Sequence, residues 1–440
     1  MDDTPRTDSG WFDTRIENLG ICRYSSPINE IKFIDDEQKI LYDDTENSFR
    51  KFQSGEKKAS FLELAGPRER LFFNPSKIRA AIVTCGGICP GLNDVIRSIT
   101  YTLHYVYGCN DVLGIRYGYM GMIKEHGIPI MKLTPDTVLD IHEKGGTILG
   151  SSRGSQDVSK QVDFLENEGI DILFAIGGDG TLRGVRDIVS EVKRRKLHRS
   201  IIGIPKTIDN DINNVSKSFG FETAFSIAIT ALRSAHIEAI AAKGGIGLVK
   251  LMGRESGFIA ASATLAQRDV NFCLIPEVDF DLEGDNGFLN HLLKRILRRD
   301  HALIVVAEGA GQKFFKKEEL GTDKSGNQKL GDIGIFMKER ISSFFKSKNM
   351  DITIRYIDPS YIVRSVPANP NDSVFAGLLG QMAVHAGMAG KTDMLVATWN
   401  NRFIHLPIEA AIMKRKKIDP QGVLWLSVVQ ATGQSMMTNI

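Results

Sequence analysis

The sequence predicts an α/β protein with two Rossmann-like domains, whose parallel-rich sheets are covered by helices, plus an N-terminal extension. From residue 77 onward, short runs rich in Val, Ile and Leu alternate with helical patterns. Strands that are apolar on both faces and separated by helices are typical of parallel sheets covered on both sides. At 440 residues, the chain is too long for one small core and suits two domains of ordinary size.

The predicted domain boundaries follow from where this alternation begins. Residues 1–75 are rich in Asp, Glu, Ser and Asn, and their short strand-like pieces, such as 31–34, do not alternate with helices. We expect this N-terminal extension to pack on the main body or on a neighbouring subunit. Residues 76–220 and about 372–440 are predicted to form the first domain, and residues 221–371 the second.

The predicted strands are apolar runs, most of them separated by helical patterns such as 221–242 and 375–389. Glycine turns come directly after several of these runs. Doubly wound folds bind ligands at the carboxyl ends of their strands, so we expect the functional residues there. The predicted strands are 78–85, 111–117, 170–176, 200–204, 247–252, 272–276, 302–307, 350–357 and 394–398.

Composition narrows the class of protein. The hydrophobic content of 42% and charged content of 25% are those of a soluble globular protein. A net charge of +2 gives no reason to expect a nucleic-acid or membrane partner. Basic runs at 193–196 and 414–417 fall at the ends of predicted helices, where they favour the helix dipole and solvation. No apolar run approaches the roughly 20 residues that a membrane span needs, and the acidic N-terminus is unlike a secretory signal. We therefore expect a cytoplasmic protein.

The five cysteines form no disulfide framework, and their odd number fits a reducing compartment. Cys85 and Cys89 flank a glycine turn without a companion Cys or His pair nearby, which argues against zinc. The histidines pair with no serine or cysteine in a recognisable nucleophile arrangement.

Residues 177–181 (GGDGT) follow a predicted strand. Glycines allow the backbone to approach phosphate oxygens, and Thr181 adds a hydroxyl. Asp179 could hold Mg²⁺, which prefers one or two carboxylates together with phosphate oxygens. The alternative is that Asp179 caps the following helix. The motif favours a phosphotransferase that uses a nucleotide, without naming its second substrate.

Residues 205–211 (PKTIDND) also follow a predicted strand, and Thr207, Asp209 and Asp211 are expected on one side of an extended loop. Two carboxylates so close together are unfavourable unless a cation or a proton separates them. One of them could take the proton of an attacking hydroxyl while the other stays near a metal. The alternative is an Asx-type turn.

Two further glycine-rich segments are candidate phosphate sites. Residues 82–93 (IVTCGGICPGLN) end a strand and open a helix, although a plain tight turn explains this segment equally well. Residues 145–154 form a small-residue loop that contains Arg153, which could bind a phosphate bidentately.

Three segments in the second domain could hold an anionic or hydroxylated substrate. Residues 252–254 (MGR) end a strand and open a helix, a placement that suits an anion. Glu308 ends another strand, where it could accept hydrogen bonds from sugar hydroxyls or be a simple strand-end carboxylate. Residues 361–364 (YIVR) offer a ring and a guanidinium, and surface packing is their alternative.

GGDGT, PKTIDND and MGR, in this order, resemble the phosphofructokinase A family, and the likeness runs from about residue 77 to about residue 391. The set is highly specific, although each piece alone is not. The resemblance implies transfer of the γ-phosphoryl of ATP to the 1-hydroxyl of D-fructose 6-phosphate, giving fructose 1,6-bisphosphate and ADP in glycolysis. The first domain would then bind ATP with Mg²⁺, and the second would bind the sugar phosphate.

The resemblance also implies roles for individual residues. Asp209 would be the base, with Asp211 and Arg153 completing the catalytic set, and Asp179 would hold the metal. The nucleotide would contact Gly86, Gly87, Arg153, Gly154, Gly178, Asp179, Gly180 and Thr181. The sugar phosphate would contact Thr207, Ile208, Asp209, Met252, Gly253, Arg254, Glu308, Tyr361, Ile362, Val363 and Arg364.

Gly180 and Lys206 bear on the phosphoryl donor. In this family an Asp at the first position blocks the inner phosphate of the nucleotide, and glycine leaves space for it. Lysine at the second position is common in pyrophosphate-dependent members. The Gly/Lys pair is similar to plant and trypanosomatid ATP-dependent members, so we expect ATP, with pyrophosphate as the alternative donor.

Two positions depart from the family pattern. Gly245 and Ser373 stand where arginines for the sugar 6-phosphate are expected, so part of that recognition is predicted to be rebuilt. A nucleotide-binding subunit without catalysis is a further alternative, which the retained carboxylates Asp179, Asp209 and Asp211 disfavour. A homo-oligomer, dimer or tetramer, is expected by analogy alone, and the allosteric response is left open.

Overall fold

The computed structural model describes residues 12–29, 31–322 and 328–439. It divides the chain into two compact units. Unit 1 takes in the described residues up to Lys206, then Ile212–Phe219 and Pro370–Lys414. Unit 2 takes in Thr207–Asp211, the described part of Gly220–Asn369, and the described residues from Arg415 onward. The first residues of the predicted N-terminal extension, 1–11, lie outside the described residues, as does residue 30.

The described helices and strands alternate along most of the chain. The strands are β1 Glu17–Asn18, β2 Tyr24–Ser25, β3 Lys39–Leu41, β4 Phe61–Leu64, β5 Arg70–Leu71, β6 Ala80–Thr84, β7 Val112–Ile115, β8 Met131–Leu133, β9 Ile172–Gly177, β10 Ser200–Pro205, β11 Gly245–Leu251, β12 Phe272–Leu274, β13 His301–Ala307, β14 Thr353–Ile357, β15 Lys391–Thr392, β16 Met394–Trp399 and β17 Arg402–Pro407. The α-helices are α1 Glu46–Gln53, α2 Leu92–Tyr101, α3 Val158–Asn167, α4 Asp179–Arg194, α5 Phe221–Ile240, α6 Phe258–Gln267, α7 Phe288–Arg299, α8 Lys317–Leu320, α9 Ile333–Ser347, α10 Pro370–Met388, α11 Ile408–Ile412 and α12 Val423–Thr432.

Unit 1 is built on a sheet with the strand order β3-β4-β17-β16-β10-β9-β6-β7-β8. Its centre, from β16 through β10, β9 and β6 to β7, is parallel. The pairings at both margins are antiparallel. Every residue of β6, β9 and β10 is buried, as expected for strands covered on both faces. The predicted parallel-rich α/β class is therefore confirmed for this unit.

The described part of the N-terminal extension packs on unit 1. β3 and β4 extend the sheet by pairing beside β17, and β1 pairs with β15. The strand-like piece at 31–34 is not a strand in the structure, and the strands nearest to it are β2 and β3. Whether a segment of the extension forms a strand depends on its pairing with β17. This pairing joins residues too far apart in sequence to be predicted.

A buried ionic cluster joins the N-terminal extension to residues near the C-terminal part of unit 1. The carboxylate of Glu63 lies 2.9 Å from Arg68, 2.9 Å from Lys391 and 2.9 Å from the ring nitrogen Nδ1 of His405. Burial raises the pKa of Glu63, but its hydrogen bond with His405 and the nearby cations dominate and lower it to about 2. Burial lowers the pKa of His405. Breaking such a buried pair leaves an uncompensated charge, so the cluster makes the extension part of the domain.

Unit 2 contains a parallel sheet with the order β12-β13-β11-β14. Its core joins these strands to α7 and α9 through residues such as Phe288, Leu292 and Met337, which are fully buried. α5 and α6 complete the alternation of strands and helices around the described part of this unit. A second parallel α/β unit was predicted, and the structure confirms it.

The predicted domain assignment of about 372–440 is corrected at its end. Residues 415 and beyond group with unit 2, and not with unit 1. The side-chain amide of Gln434 accepts from the backbone N–H of Cys273 at 2.7 Å and donates to its carbonyl at 3.2 Å. The carbonyl of Met437 accepts from Asp281 N–H at 2.7 Å. These contacts attach the end of the chain to the strand and loop of β12.

Across the described ranges, we find no helix with both the length and the apolar character that crossing a membrane would require.

Candidate active site

The glycine turns of unit 1 come together because β6, β9 and β10 are parallel neighbours. Their carboxyl ends therefore lie at the same side of the sheet. Gly86 follows β6 with φ of +83°, a left-handed conformation that favours glycine. The next strands end at Gly177 and Pro205, where the other two predicted motifs begin.

The loop that contains Arg153 lies against the first glycine turn. The backbone N–H of Gly86 donates to Ser152 O at 3.0 Å, and the hydroxyl of Ser151 donates to Gly86 O at 2.6 Å. Arg153 itself is exposed, and Gly154 follows with φ of +99°. These two segments are therefore neighbours in the structure, and the guanidinium of Arg153 is accessible to a ligand.

Lys206 joins the same cluster from the end of β10. Its ammonium donates a hydrogen bond to the carbonyl of Gly87, and its backbone N–H donates to Gly177 O at 3.0 Å. A Cβ at Gly86 would stand 3.4 Å from the Lys206 ammonium. A cation therefore lies beside two glycine turns, which is an arrangement suited to phosphate oxygens. Burial raises the pKa of the adjacent Cys85 thiol to about 12, although Lys206 opposes the shift, so this cysteine is not a thiolate nucleophile.

Asp179 is the first residue of α4, and Gly178 is the N-cap. The alternative prediction, that Asp179 caps the helix, is not what the structure shows. Its carboxylate instead pairs with Arg183 one turn later, at 3.1 and 3.4 Å. Carboxylates in the first turn are also stabilised by the helix dipole. The side chain is partly exposed, and a cation could compete with Arg183 for it.

The three glycines of residues 177–181 differ in how much space each has for a side chain. A Cβ at Gly177 would lie 2.0 Å from the hydroxyl oxygen of Thr181, so this position has no room for a side chain. A Cβ at Gly178 would come within 3.3 Å of Lys206 O. At Gly180 a Cβ would meet nothing within 4 Å, and the residue is exposed. The fold therefore requires Gly177, whereas nothing in the fold requires Gly180.

Residues 207–211 form a turn in unit 2, so the predicted extended loop was wrong. Asn210 has a left-handed φ of +53°, and residues 208 and 209 form a turn. The hydroxyl of Thr207 accepts from the N–H of Asp209 at 3.1 Å and donates to the carboxylate of Asp211 at 3.0 Å. Local side-chain hydrogen bonds of this kind offer the backbone an alternative to extension. Thr207 and Asp211 still meet, but through the turn and not by alternation. Ile208 is buried beside them.

Two residues that were not predicted as site residues contact this turn. The guanidinium of Arg415 donates to the carboxylate of Asp211 at 2.6 Å, and the backbone N–H of Lys416 donates to Asp211 O at 2.8 Å. The ammonium of Lys416 lies 5.1 Å from the ring centroid of Phe258. Burial lowers the pKa of Lys416 to about 8, opposed by the charge of Asp211. The run 414–417 was expected at a helix end, but α11 ends at Ile412 and the chain passes to the turn. No local pattern signals this contact.

The MGR segment lies beside the same turn. The hydroxyl of Ser256 donates to Asp209 O at 3.1 Å. Gly253 has φ of +128°, and a Cβ there would come within 2.5 Å of Ser256 O, so the bend after β11 depends on glycine. Met252 and Arg254 flank this bend and are partly exposed. The predicted substrate segment and the predicted base are therefore neighbours within unit 2.

Glu308 belongs to the same group because β13 pairs in parallel with β11. Its N–H donates to Leu251 O at 2.8 Å, and the N–H of Gly309 donates to Gly253 O at 3.1 Å. Burial raises the pKa of Glu308, opposed by the charges of Lys250 and Arg254. The Glu308 carboxyl is therefore half-buried at the strand ends, near the charges of Lys250 and Arg254, where it could accept hydrogen bonds from a ligand.

Residues 361–364 follow β14, the other neighbour of β11. Tyr361 and Ile362 are exposed, Val363 is buried, and the Arg364 guanidinium lies 5.2 Å from the Tyr361 ring. The side chain of Val363 therefore packs in the interior, and any contact with a ligand would use its backbone. Tyr361, Ile362 and Arg364 remain candidates.

The structure shows the surroundings of Gly245 and Ser373, the two residues that stand where the family pattern has arginines. A Cβ at Gly245 would lie 1.9 Å from Ala239 O, so no arginine fits there. Ser373 lies in unit 1, where its hydroxyl donates to Asp94 at 2.5 Å. Neither residue is a candidate for the sugar phosphate in unit 2.

Known proteins are similar to this chain along most of its length. Residues 79–387 match the family described as Phosphofructokinase. The "ATP-dependent 6-phosphofructokinase" of Borreliella burgdorferi is 48% identical over 437 residues, with 96% of this chain and 97% of that protein covered. The enzyme of the same name from Trypanosoma brucei brucei is 46% identical over 373 residues, covering 84% of this chain and 76% of that protein.

A solved structure shows the fold independently. The pyrophosphate-dependent phosphofructokinase from Marinobacter aquaeolei superposes with a TM-score of 0.67 at 17% identity, covering 82% of this chain and 92% of that one. At this identity the likeness supports the fold and nothing finer. Given the match over residues 79–387 and the two relatives that cover most of its length, the chain belongs to the phosphofructokinase family.

Proposed function

We propose that this chain is an ATP-dependent 6-phosphofructokinase. It would transfer the γ-phosphoryl of ATP to the 1-hydroxyl of D-fructose 6-phosphate and release fructose 1,6-bisphosphate and ADP. The observation that carries the proposal is that Lys206 and three glycine-rich loops meet at the strand ends of unit 1, an arrangement suited to a polyphosphate. The relatives described above support ATP as the donor.

The proposed chemical step requires one base and an aligned acceptor. Asp209 takes the proton of the sugar 1-hydroxyl as that oxygen attacks the γ-phosphorus. The bond from the γ-phosphorus to the bridging oxygen breaks, and ADP leaves with the electron pair. Phosphoryl transfer depends mainly on alignment and charge stabilisation, so the charges of Arg153, which is exposed, and Lys206, which is buried, would offset charge on the phosphates.

Unit 2 would bind the sugar phosphate. Arg254 and Arg364 supply positive charge for its phosphate, and Glu308 and Tyr361 supply groups for the sugar. Asp211 is better suited to positioning than to proton transfer, because its carboxylate already accepts from Thr207 and Arg415. The proposed proton acceptor is therefore Asp209 alone.

Magnesium would be held by Asp179. Among the described residues, no group of three or more His, Cys, Asp or Glu side chains could hold a metal on its own. A single carboxylate that shares the ion with phosphate oxygens fits what Mg²⁺ prefers. When bound, the ion would neutralise charge on the transferring phosphoryl. Asp179 would then exchange its ion pair with Arg183 for the cation.

Pyrophosphate is the second candidate donor, because a lysine beside the glycine turns could serve either donor. Gly180 favours ATP, since the first turn of α4 is open where a side chain would otherwise stand. The cytoplasmic location and the homo-oligomer stay predictions.

A coupled assay tests the proposal. The protein is incubated with fructose 6-phosphate and Mg²⁺, with ATP or pyrophosphate as donor, and the bisphosphate product is measured. We expect turnover with ATP and at least about 100-fold less with pyrophosphate at equal concentration, a difference of about 3 kcal/mol. Equal turnover with pyrophosphate would reverse the donor assignment. No product with either donor would refute the function.

A further inference from the structure

The paired-acid turn, residues 207–211, is held from outside by the C-terminal part of unit 2. Arg415 and Lys416 both contact Asp211, one through its guanidinium and the other through its backbone N–H. These residues lie beyond the stretch 79–387 that matches the family description. We call residues 415–418 the C-terminal strap.

Both carboxylate oxygens of Asp211 accept a hydrogen bond. Oδ2 accepts from Arg415 Nη1 at 2.6 Å, and Oδ1 accepts from the hydroxyl of Thr207 at 3.0 Å. The same Thr207 oxygen accepts from the N–H of Asp209 at 3.1 Å. A continuous chain of hydrogen bonds therefore runs from the Arg415 guanidinium through Asp211 and Thr207 to the backbone of Asp209. The Asp211 side chain is only 9% exposed, so its ion pair with Arg415 is poorly screened.

The strap has its own anchor on unit 2. The carboxylate of Glu277 accepts from the N–H of Ile418 at 2.9 Å and from the N–H of Gly257 at 3.0 Å. Gly257 is the N-cap of α6, the helix that follows the MGR bend. Ile418 is buried, and the Lys416 ammonium lies against the ring of Phe258, the first residue of α6. One end of the strap is thus fixed to the substrate segment, while the other holds the turn.

We propose that Arg415 is a positioning residue for phosphoryl transfer: through Asp211 and Thr207 it fixes the turn that aims the carboxylate of Asp209. This inference rests on the proposed function, since it presumes that Asp209 is the base. A small displacement of a base costs rate much more than it costs binding, because alignment is realised in the transition state. Arg415 is expected to affect kcat and to leave the KM of both substrates nearly unchanged.

The experiment compares Arg415→Met, Asp211→Asn and the double variant in the full chain. We expect each single variant to lower kcat by about 10- to 30-fold, with the KM for ATP and for fructose 6-phosphate within about threefold. Because both changes cut the same chain of hydrogen bonds, the double variant should be no slower than the slower single variant by more than about threefold. Arg415→Lys, which keeps the charge, should recover part of the lost rate.

Arg355→Met is the matched control. Arg355 is also an arginine of unit 2 that pairs with a carboxylate, Glu238, at 3.2 Å, and its side chain is 48% exposed. Its removal should leave kcat unchanged. Thermal unfolding of each variant separates loss of rate from loss of fold. Should Arg415→Met fail to fold, Arg415→Gln, which also removes the charge that pairs with Asp211, takes its place in the cycle under the same criterion.

Three results would overturn the inference. The first is a kcat of Arg415→Met within twofold of the unchanged enzyme. The second is full multiplication of the two single effects in the double variant, and the third is an increase confined to KM. If the unchanged protein has no activity with either donor, the proposed function fails instead, so the two failures are distinguishable.

Discussion

Gly180→Asp tests the donor site with little risk to the fold. A Cβ at this position meets no atom within 4 Å, and the residue is exposed in the first turn of α4. An Asp there also gains from the helix dipole, by about 0.3–1 kcal/mol. The unfolding temperature should therefore stay the same or rise slightly. Any loss of activity would then come from the ligand and not from the protein.

The expected loss follows from charge. A carboxylate about 4 Å from a phosphate oxygen repels it by about 4 kcal/mol at the effective dielectric constant of a protein surface. Because Gly180 is exposed, screening by solvent and salt reduces this to about 2–3 kcal/mol. We expect kcat/KM for ATP to fall by about 30- to 150-fold, with KM for fructose 6-phosphate unchanged. The assay couples product formation to a dehydrogenase at varied ATP.

Two controls isolate the cause. Gly180→Ala adds the Cβ without the charge and should lose much less than the Asp variant. Gly377→Asp places the same charge in α10, at another glycine where a Cβ meets nothing, and should leave the donor kinetics unchanged. If Gly180→Asp keeps its kcat/KM for ATP within threefold, the nucleotide does not pass this turn and the donor reasoning fails.

Three further results are expected. Asp209→Asn should lower kcat by about 10²- to 10⁴-fold while isothermal titration shows fructose 6-phosphate still bound, and near-normal turnover would exclude Asp209 as the base. Gly177→Ala should lower the free energy of unfolding in urea by about 1–3 kcal/mol, because its Cβ would collide with Thr181, and an unchanged midpoint would contradict this. Burial lowers the pKa of the His385 imidazole in the folded protein to about 4, from 6.5 for an exposed histidine. As pH falls below about 6.5, the imidazole is therefore protonated in the unfolded chain before it is protonated in the folded protein. The free energy of unfolding should thus decrease by about 3 kcal/mol between pH 7 and pH 4. In His385→Gln that part of the acid sensitivity should disappear from urea curves recorded at pH 7, 5.5 and 4.5, and an identical pH slope would refute the assignment.

The sequence was sufficient for the parallel centre of each sheet. Strands such as β6, β9 and β10 are buried on both faces, so their composition alone identifies them to within a few residues. The marginal strands β3, β4 and β17 are less uniformly buried, and β4 pairs with β17 across more than 300 residues of sequence. The pairing of these strands depends on which segment of the chain reaches the margin of the sheet. The sequence of each strand alone does not predict this.

The turn at 207–211 shows a different limit. The pattern Thr207, Asp209, Asp211 singled out residues that are joined by hydrogen bonds, but the alternation that suggested an extended loop does not exist in the structure. Asn210 adopts a left-handed conformation, and the hydroxyl of Thr207 takes the place of a backbone acceptor. Both an extended loop and a turn would bring polar groups to this place, so residue types could predict the chemistry without predicting the geometry.

Arg415 shows why the remaining part of the site could not be read from the sequence. A run of four basic residues is nearly always a solvated surface, and nothing in KRKK shows that its one arginine has a buried partner. What distinguishes Arg415 is Asp211, 204 residues earlier, and the anchoring of Ile418 by Glu277, which fixes where the run passes. A charge acquires a role in such a site through its partners and its burial, and both are properties of the folded chain. The family motifs therefore give the groups that we propose to touch substrate, whereas the residues that hold those groups in place have to be found by following hydrogen bonds outward from them.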